Sequence, residues 1–168
     1  MLPTDEVFGS YVGGLGVASG SDVVVYDGSG SNLSSARAWW MFRAYGHERV
    51  FLLDGGLLKW RAEGRGVEPG ETTRPPATFS ARLDRSQVRD RSAVQAALSS
   101  GAAQLLDARS AGRYSAAEPE PRAGLVSGHM PGALNLPYTA LVNPDGTAVS
   151  LGELRDKQIG RASCRERV

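Results

Sequence analysis

Cysteine is almost absent from this sequence: Cys164 is the only one in 168 residues. A single cysteine excludes an internal disulfide framework and a metal site built from several thiolates. Histidine is scarce as well, since only His47 and His129 occur, far apart and without clustered carboxylates. Two isolated histidines are a poor ligand set for a metal ion. The sequence therefore predicts neither a metal site nor a cofactor.

Long apolar runs and an excess of one charge are also missing. No run reaches the roughly 20 apolar residues of a membrane span, and residues 1–6 lack the basic start and apolar core of a signal peptide. The formal net charge is +1, and 41% hydrophobic with 22% charged residues is a globular composition. This balance argues against a nucleic-acid or membrane partner, and we expect a cytoplasmic location.

Short apolar runs alternate with helical patterns along the chain. Residues 23–26 and 50–53 have the β-branched or apolar composition of strands buried in a parallel sheet, and the pattern between them predicts a helix over residues 35–45. Further strands are predicted at residues 104–107 and 133–137. Strands that alternate with helices favour an α/β fold with a parallel sheet.

The C-terminal tail that holds Cys164 does not have the pattern of a folded segment. Back-translated, residues 158–168 can be written as a DNA string that matches a common sequencing adapter read in frame. We therefore predict that residues 158–168 are a sequencing artefact, and that a helix capped by Ser150 ends at Lys157. The alternative is a basic, disordered C-terminus.

Six motifs follow one another in the body of the chain. They are VVVYD at 23–27, ARAWWMFR at 36–43, LDGGL at 53–57 with Trp60, LDAR at 106–109 with GRY at 112–114, EPEPR at 118–122 and SGHMPGA at 127–133. In this order they resemble the rhodanese family, specifically its tandem two-domain sulfurtransferases. The resemblance implies a rhodanese-like parallel sheet flanked by helices. It also implies transfer of a sulfane sulfur from 3-mercaptopyruvate or thiosulfate to a thiophilic acceptor through a cysteine persulfide.

The resemblance further implies two incomplete domains. Residues 1–65 resemble the second half of an inactive N-terminal rhodanese-like domain, and residues 86–157 resemble the first half of a catalytic C-terminal domain. Residues 66–85, rich in Gly, Pro and Thr, are predicted to be the linker. The nucleophilic cysteine is then expected beyond residue 157. Cys164 is not expected to be that cysteine, because no apolar strand precedes it and no helical pattern follows it. The chain therefore contains no predicted catalytic residue and is expected to be an inactive fragment of its parent.

Three residues are singled out by the resemblance. Asp27 stands where an active domain has its cysteine, and since a carboxylate cannot take up a sulfane sulfur, its predicted role is structural. Arg113 matches the family's substrate-binding arginine, and Arg122 matches an arginine characteristic of the mercaptopyruvate-using branch. A guanidinium binds a carboxylate through two parallel hydrogen bonds. Taken alone, each is more simply a surface arginine in an arginine-rich chain.

Two more local predictions concern the second half. Asp107 and Arg109 are expected to form an ion pair at the end of a strand. His129 is expected to tie its loop by hydrogen bonds and not to transfer protons. Two alternatives to the sulfurtransferase remain: a catalytically inactive rhodanese-like binding or regulatory module, which Asp27 favours, and an unrelated α/β domain with chance matches.

Overall fold

The computed structural model describes residues 2–162, with side chains through residue 157. Cys164 and the end of the predicted artefact therefore lie outside the described residues. The chain divides into two compact units, with the boundary between Arg89 and Asp90. None of the described helices is both long and apolar enough to cross a membrane.

Besides a short 3-10 helix (Arg85–Gln87), the described part of the first unit contains three α-helices and two strands. In chain order they are α1 (Asp5–Gly14), β1 (Val23–Val25), α2 (Leu33–Ala44), β2 (Val50–Leu52) and α3 (Gly56–Ala62). The strands β1 and β2 pair in parallel, with Val23 opposite Val50. A parallel pair needs a crossover, and α2 supplies it. The predicted strand-helix-strand order is confirmed, although each element begins or ends one to two residues from the predicted position.

Local sequence explains where these helices begin and end. The Thr4 hydroxyl accepts a hydrogen bond from the Val7 N–H at 3.3 Å, which satisfies one free donor at the start of α1. Gly46 follows the C-terminal end of α2 and has φ +86°, a left-handed conformation that glycine adopts without strain.

The core of the first unit is aromatic. Phe8, Val12, Tyr45 and Phe79 are buried together, and the Phe8 and Tyr45 rings stack with their centroids 4.1 Å apart. The Tyr45 hydroxyl donates to the Pro3 carbonyl at 2.5 Å, so its polar end is satisfied as well. Burial of these rings holds α1 and α2 together.

The segment predicted to be a linker contributes to this core. Residues 66–76 are exposed, but the extended chain that follows packs against α1 and α2. The Ala77 N–H donates to the Gly13 carbonyl at 2.9 Å, and the Asp84 N–H donates to the Ala44 carbonyl at 2.7 Å. Phe79 lies between these two anchors, where its ring reaches the aromatic cluster.

The second unit is built from shorter elements. They are α4 (Arg91–Ser100), β3 (Leu106–Asp107), α5 (Ala111–Tyr114), β4 (Leu134–Asn135) and α6 (Leu151–Ala162). The strands β3 and β4 pair in parallel, with Leu106 opposite Leu134. The prediction that the last helix ends at Lys157 is wrong, because α6 continues to Ala162. Residues 158–162 of the predicted artefact thus extend a helix that Ser150 begins.

Among the residues that the structure describes, each sheet has two strands, which leaves apolar side chains in solvent. Val24, Phe51, Leu52 and Leu106 are all exposed on the strands. A two-stranded sheet cannot bury both of its faces, and its outer edges keep unpaired N–H and C=O groups.

The contact between α1 and residue 77 can be tested with two neighbouring glycines. A Cβ at Gly13 would collide with the Ala77 carbonyl oxygen, whereas a Cβ at Gly14 would meet nothing within 4 Å. We expect Gly13→Ala to lower the free energy of unfolding by about 1–3 kcal/mol. Gly14→Ala is the control, and we expect it to raise the free energy of unfolding by up to about 1 kcal/mol, because alanine favours the helix.

Urea unfolding followed by tryptophan fluorescence measures this difference, because Trp39, Trp40 and Trp60 all lie in the first unit. Equal stability of the two variants would show that residue 77 does not pack on α1 in solution.

Candidate functional site

Asp27 follows β1 and closes the loop that leads into α2. Its Oδ1 accepts hydrogen bonds from the Ser29 N–H at 2.8 Å and the Ser29 hydroxyl at 2.7 Å. Its Oδ2 accepts from the Ser35 N–H at 3.0 Å and the Ser35 hydroxyl at 3.1 Å. Since Ser35 lies in the first turn of α2, the carboxylate satisfies a helix donor that otherwise has no partner, and its charge faces the positive end of the helix.

These contacts keep Asp27 ionised. Burial raises the pKa of Asp27, but the hydrogen bonds from Ser29 and Ser35 together outweigh burial and lower the pKa to about 2. The loop donors are therefore occupied by a carboxylate of the protein itself. These contacts hold the loop in place, and the absence of a catalytic role for Asp27 stays a prediction.

In the second unit the corresponding strand end holds an ion pair. Asp107 is the last residue of β3, and its Oδ1 accepts from the Arg109 N–H at 3.0 Å and from Arg109 Nε at 2.9 Å. Arg109 Nη2 also donates to the Gly128 carbonyl at 2.6 Å, so Arg109 connects β3 with the loop before β4. The predicted Asp107–Arg109 ion pair is confirmed.

Arg113, predicted to bind substrate, is held by a glutamate. Arg113 Nε donates to Glu120 Oε1 at 3.2 Å, and Arg113 Nη2 donates to Glu120 Oε2 at 2.5 Å. Arg109 Nη1 donates to the same Oε1 at 2.6 Å, so two guanidinium groups share one carboxylate. The Glu120 side chain is 5% exposed, whereas the side chain of Arg113 is 31% exposed. Arg113 is thus anchored by a buried carboxylate, while about a third of its side chain stays exposed.

The four charged groups balance one another. Hydrogen bonds from Arg113 and then Arg109 outweigh burial and hold the pKa of Glu120 below its usual value. The hydrogen bond from Arg109 likewise lowers the pKa of Asp107. Two carboxylates and two guanidinium groups therefore form a neutral cluster, which we call the Arg-Glu cluster.

Arg122, the other predicted substrate-binding residue, is not part of the Arg-Glu cluster. Its side chain is exposed and makes no hydrogen bond or ion pair with any other described residue. Its charge is free to meet an anion in solvent, but no contact holds it in one orientation.

His129 stacks on Tyr114, with the ring centroids 3.8 Å apart. Its Nδ1 lies 2.9 Å from the Tyr114 carbonyl, and because a carbonyl only accepts, Nδ1 carries the hydrogen. The Tyr114 hydroxyl in turn donates to the Ala133 carbonyl at 2.7 Å. His129 therefore ties its loop to α5, as predicted.

An open cavity of about 630 Å³ lies beside these groups. Arg109 and His129 contribute to its lining, together with Asp107 and apolar residues of β3 and of the loop before β4. Neither Arg113 nor Arg122 is among the described residues that line this cavity.

Sequence reasoning assigned no role to Glu120. The residue lies in the EPEPR motif, and its partners are 11 and 7 residues away in the chain. The available signal was the pair of arginines before the motif, Arg109 and Arg113, since partly buried guanidinium groups need counterions.

Three comparisons place this geometry among known proteins. Residues 3–63 match the rhodanese-like domain family. The chain is 42% identical over 156 residues to 3-mercaptopyruvate sulfurtransferase of Rattus norvegicus, which covers 92% of this chain and 52% of that protein. It is 44% identical over 158 residues to thiosulfate sulfurtransferase of Bos taurus, covering 92% of this chain and 53% of that protein. The chain spans about half the length of these curated relatives.

A solved structure agrees with these relatives. SseA from Escherichia coli, described with the 3-mercaptopyruvate sulfotransferases, is 37% identical to this chain and superposes with a TM-score of 0.85. The match covers 96% of this chain and 59% of SseA. The protein therefore has the α/β architecture of the rhodanese fold. It belongs to the rhodanese family.

The role of Asp27 can be tested through the pH dependence of stability. A pKa of about 2 in the folded state lies below the usual value of an unfolded aspartate, so Asp27 contributes about 2 kcal/mol of stability above about pH 4. This contribution is lost as the pH falls from about 4 to about 2. We expect Asp27→Asn to lower the free energy of unfolding at neutral pH by about 2 kcal/mol. We also expect the free energy of unfolding of this variant to fall less steeply than that of the wild type between about pH 4 and about pH 2.

Urea unfolding at several pH values, followed by tryptophan fluorescence, checks this expectation. Glu48→Gln is the control, because Glu48 is an exposed carboxylate in the same unit. If the free energy of unfolding falls with decreasing pH in Asp27→Asn as it does in the wild type, the structural role of Asp27 is contradicted.

Proposed function

We propose that this chain belongs to a sulfurtransferase that moves a sulfane sulfur from 3-mercaptopyruvate or thiosulfate to a thiophilic acceptor. The observation that carries the proposal is Arg113, a partly exposed guanidinium that Glu120 holds near the end of β3. The chain that contains it is 42% identical to 3-mercaptopyruvate sulfurtransferase of Rattus norvegicus. Both donors are small anions, and a fixed guanidinium is suited to hold them.

The proposed chemistry needs a cysteine thiolate. The thiolate attacks the donor sulfur, and the bond between that sulfur and C3 of 3-mercaptopyruvate breaks. The electron pair passes to C3, which takes a proton and leaves as pyruvate, while the enzyme keeps a cysteine persulfide. With thiosulfate, the sulfur–sulfur bond breaks and sulfite leaves. The acceptor then attacks the outer sulfur and restores the thiolate.

In this proposal Arg113 and Arg122 hold the donor. Arg113 is the more suitable of the two for a carboxylate, since its guanidinium is already oriented by Glu120. The exposed Arg122 adds positive charge with little orientation. The nucleophile itself is expected outside residues 1–157, and a cytoplasmic location stays a prediction.

A second candidate function is an inactive binding or regulatory module. It is favoured by Asp27, whose four hydrogen bonds occupy the loop where the family resemblance places a cysteine. The two candidates differ in whether an anionic donor binds at Arg113.

Donor binding can be measured with pyruvate, a carboxylate probe that carries no transferable sulfur. In NMR titrations of the full chain, we expect Arg113→Lys to weaken pyruvate binding about tenfold, because lysine keeps the charge but loses the paired donors. Arg91→Ala is the control, since Arg91 is an exposed arginine of the same unit. Equal binding by the wild-type chain and Arg113→Lys would remove the assignment of Arg113.

Turnover provides a separate test. The only cysteine, Cys164, lies in the predicted artefact and not in a catalytic loop, so we expect the chain to form no thiocyanate from thiosulfate and cyanide above the uncatalysed rate. Thiocyanate formation that persists in Cys164→Ser would show that the reaction uses no cysteine of this chain and would overturn the persulfide mechanism. Formation that disappears in this variant would identify Cys164 as a nucleophile and overturn the expectation that the nucleophile lies elsewhere.

A further inference from the structure

Glu120 is the central acceptor of the Arg-Glu cluster. Its Oε1 accepts from both Arg109 and Arg113, and its Oε2 accepts from Arg113. A carboxylate that is 5% exposed and shared by two guanidinium groups has little freedom to rotate. The orientation of Glu120 therefore restricts the orientation of Arg113, whose side chain it holds through two hydrogen bonds.

The bonds to Glu120 use only one edge of the Arg113 guanidinium. Arginine has five N–H donors, and the Nε and Nη2 atoms that face Glu120 form one of its two bidentate edges. The other edge consists of Nη1 and the second hydrogen of Nη2. That edge has two parallel donors, the arrangement that a carboxylate accepts. Arg113 can thus be held by one carboxylate while it binds another.

Arg109 is the second residue that holds Glu120. Arg109 donates to Asp107, to the Gly128 carbonyl and to Glu120, so most of its N–H groups are engaged within the protein. Its position is determined by the end of β3 and by the loop before β4. The orientation of the Arg113 side chain is therefore determined by contacts that start at β3 and run through Arg109 and Glu120, and not by α5 alone.

We propose that Glu120 is a positioning residue that holds the inner edge of Arg113 and thereby presents its Nη1–Nη2 edge to the carboxylate of an incoming sulfur donor. This inference rests on the proposed function in that it takes Arg113 as the donor-binding residue. Glu120 itself touches neither the donor nor the reacting atoms.

Charge alone makes the opposite prediction, which allows a sharp test. A negative Glu120 beside Arg113 opposes the approach of an anion, so its neutralisation would tighten anion binding if only Coulomb energy mattered. If Glu120 positions Arg113, its removal leaves a mobile guanidinium that must be ordered on binding. The direction of the change in affinity distinguishes the two effects.

The experiment is a pyruvate titration of the ¹⁵N-labelled full chain, followed through the arginine Nε–H signals in NMR spectra. Arg113→Lys identifies the Arg113 signal by its disappearance. We expect Glu120→Gln to weaken pyruvate binding about fivefold and to shift the Arg113 Nε–H signal toward the position of exposed arginines. Glu118→Gln is the matched control, because Glu118 is an exposed glutamate of the same motif that bonds to Ser110.

Glu120→Asp is the second variant, and it keeps the charge while shortening the side chain by one methylene group. Positioning predicts that Glu120→Asp also weakens pyruvate binding, whereas a charge effect predicts no change. Unchanged or tighter pyruvate binding in both variants would overturn the proposal, even if Arg113→Lys still weakens binding about tenfold.

A different result would count against the proposed function alone. If Arg113→Lys leaves the affinity for pyruvate unchanged, the assignment of Arg113 as the donor-binding residue fails. The Nε–H signal then still reports whether Glu120 orders Arg113: a signal that does not move in Glu120→Gln overturns the positioning role, and a signal that moves supports it.

Discussion

Backbone N–H groups at the end of a parallel strand need acceptors, and in both units an aspartate supplies them. Asp27 accepts from the loop after β1 and from the first turn of α2, while Asp107 accepts from the backbone and side chain of Arg109. An N–H group buried without a partner is costly, so these carboxylates determine the path of the chain after each strand. The remaining polar contacts near the two strand ends depend on this choice.

The same constraint leads to different chemistry in the two units. In the first unit the donors around Asp27 are serine groups, and the carboxylate satisfies them within the protein. In the second unit the donor is a guanidinium, which has further N–H groups to share. Arg109 passes them to Glu120, and Glu120 orders Arg113. The hydrogen bonds after β1 are therefore all made within the loop and α2, whereas those after β3 lead to Arg113, a partly exposed cation.

Much of the fold could be predicted from the sequence because its signals are local. The β-branched run at residues 23–26 predicts a strand, but the predicted burial of that strand is wrong, because Val24 is 57% exposed. The Ser150 cap predicts where the last helix starts. The end of α6 was predicted wrongly, because an atypical composition after Lys157 does not prevent helical hydrogen bonds up to Ala162. The role of Glu120 was missed, since its partners are too far away in the chain for a periodic pattern to show them.

The sequence by itself determined the types of the elements, their parallel order, the aspartates that follow the strands and the single cysteine. These properties depend on neighbouring residues and on the identity of side chains. Only the tertiary structure decided that Phe79 joins the rings of Phe8 and Tyr45, and that Glu120 pairs with two arginines. The physical reason is that such contacts form through space after the chain reverses. Their strength depends on burial, which no local pattern records.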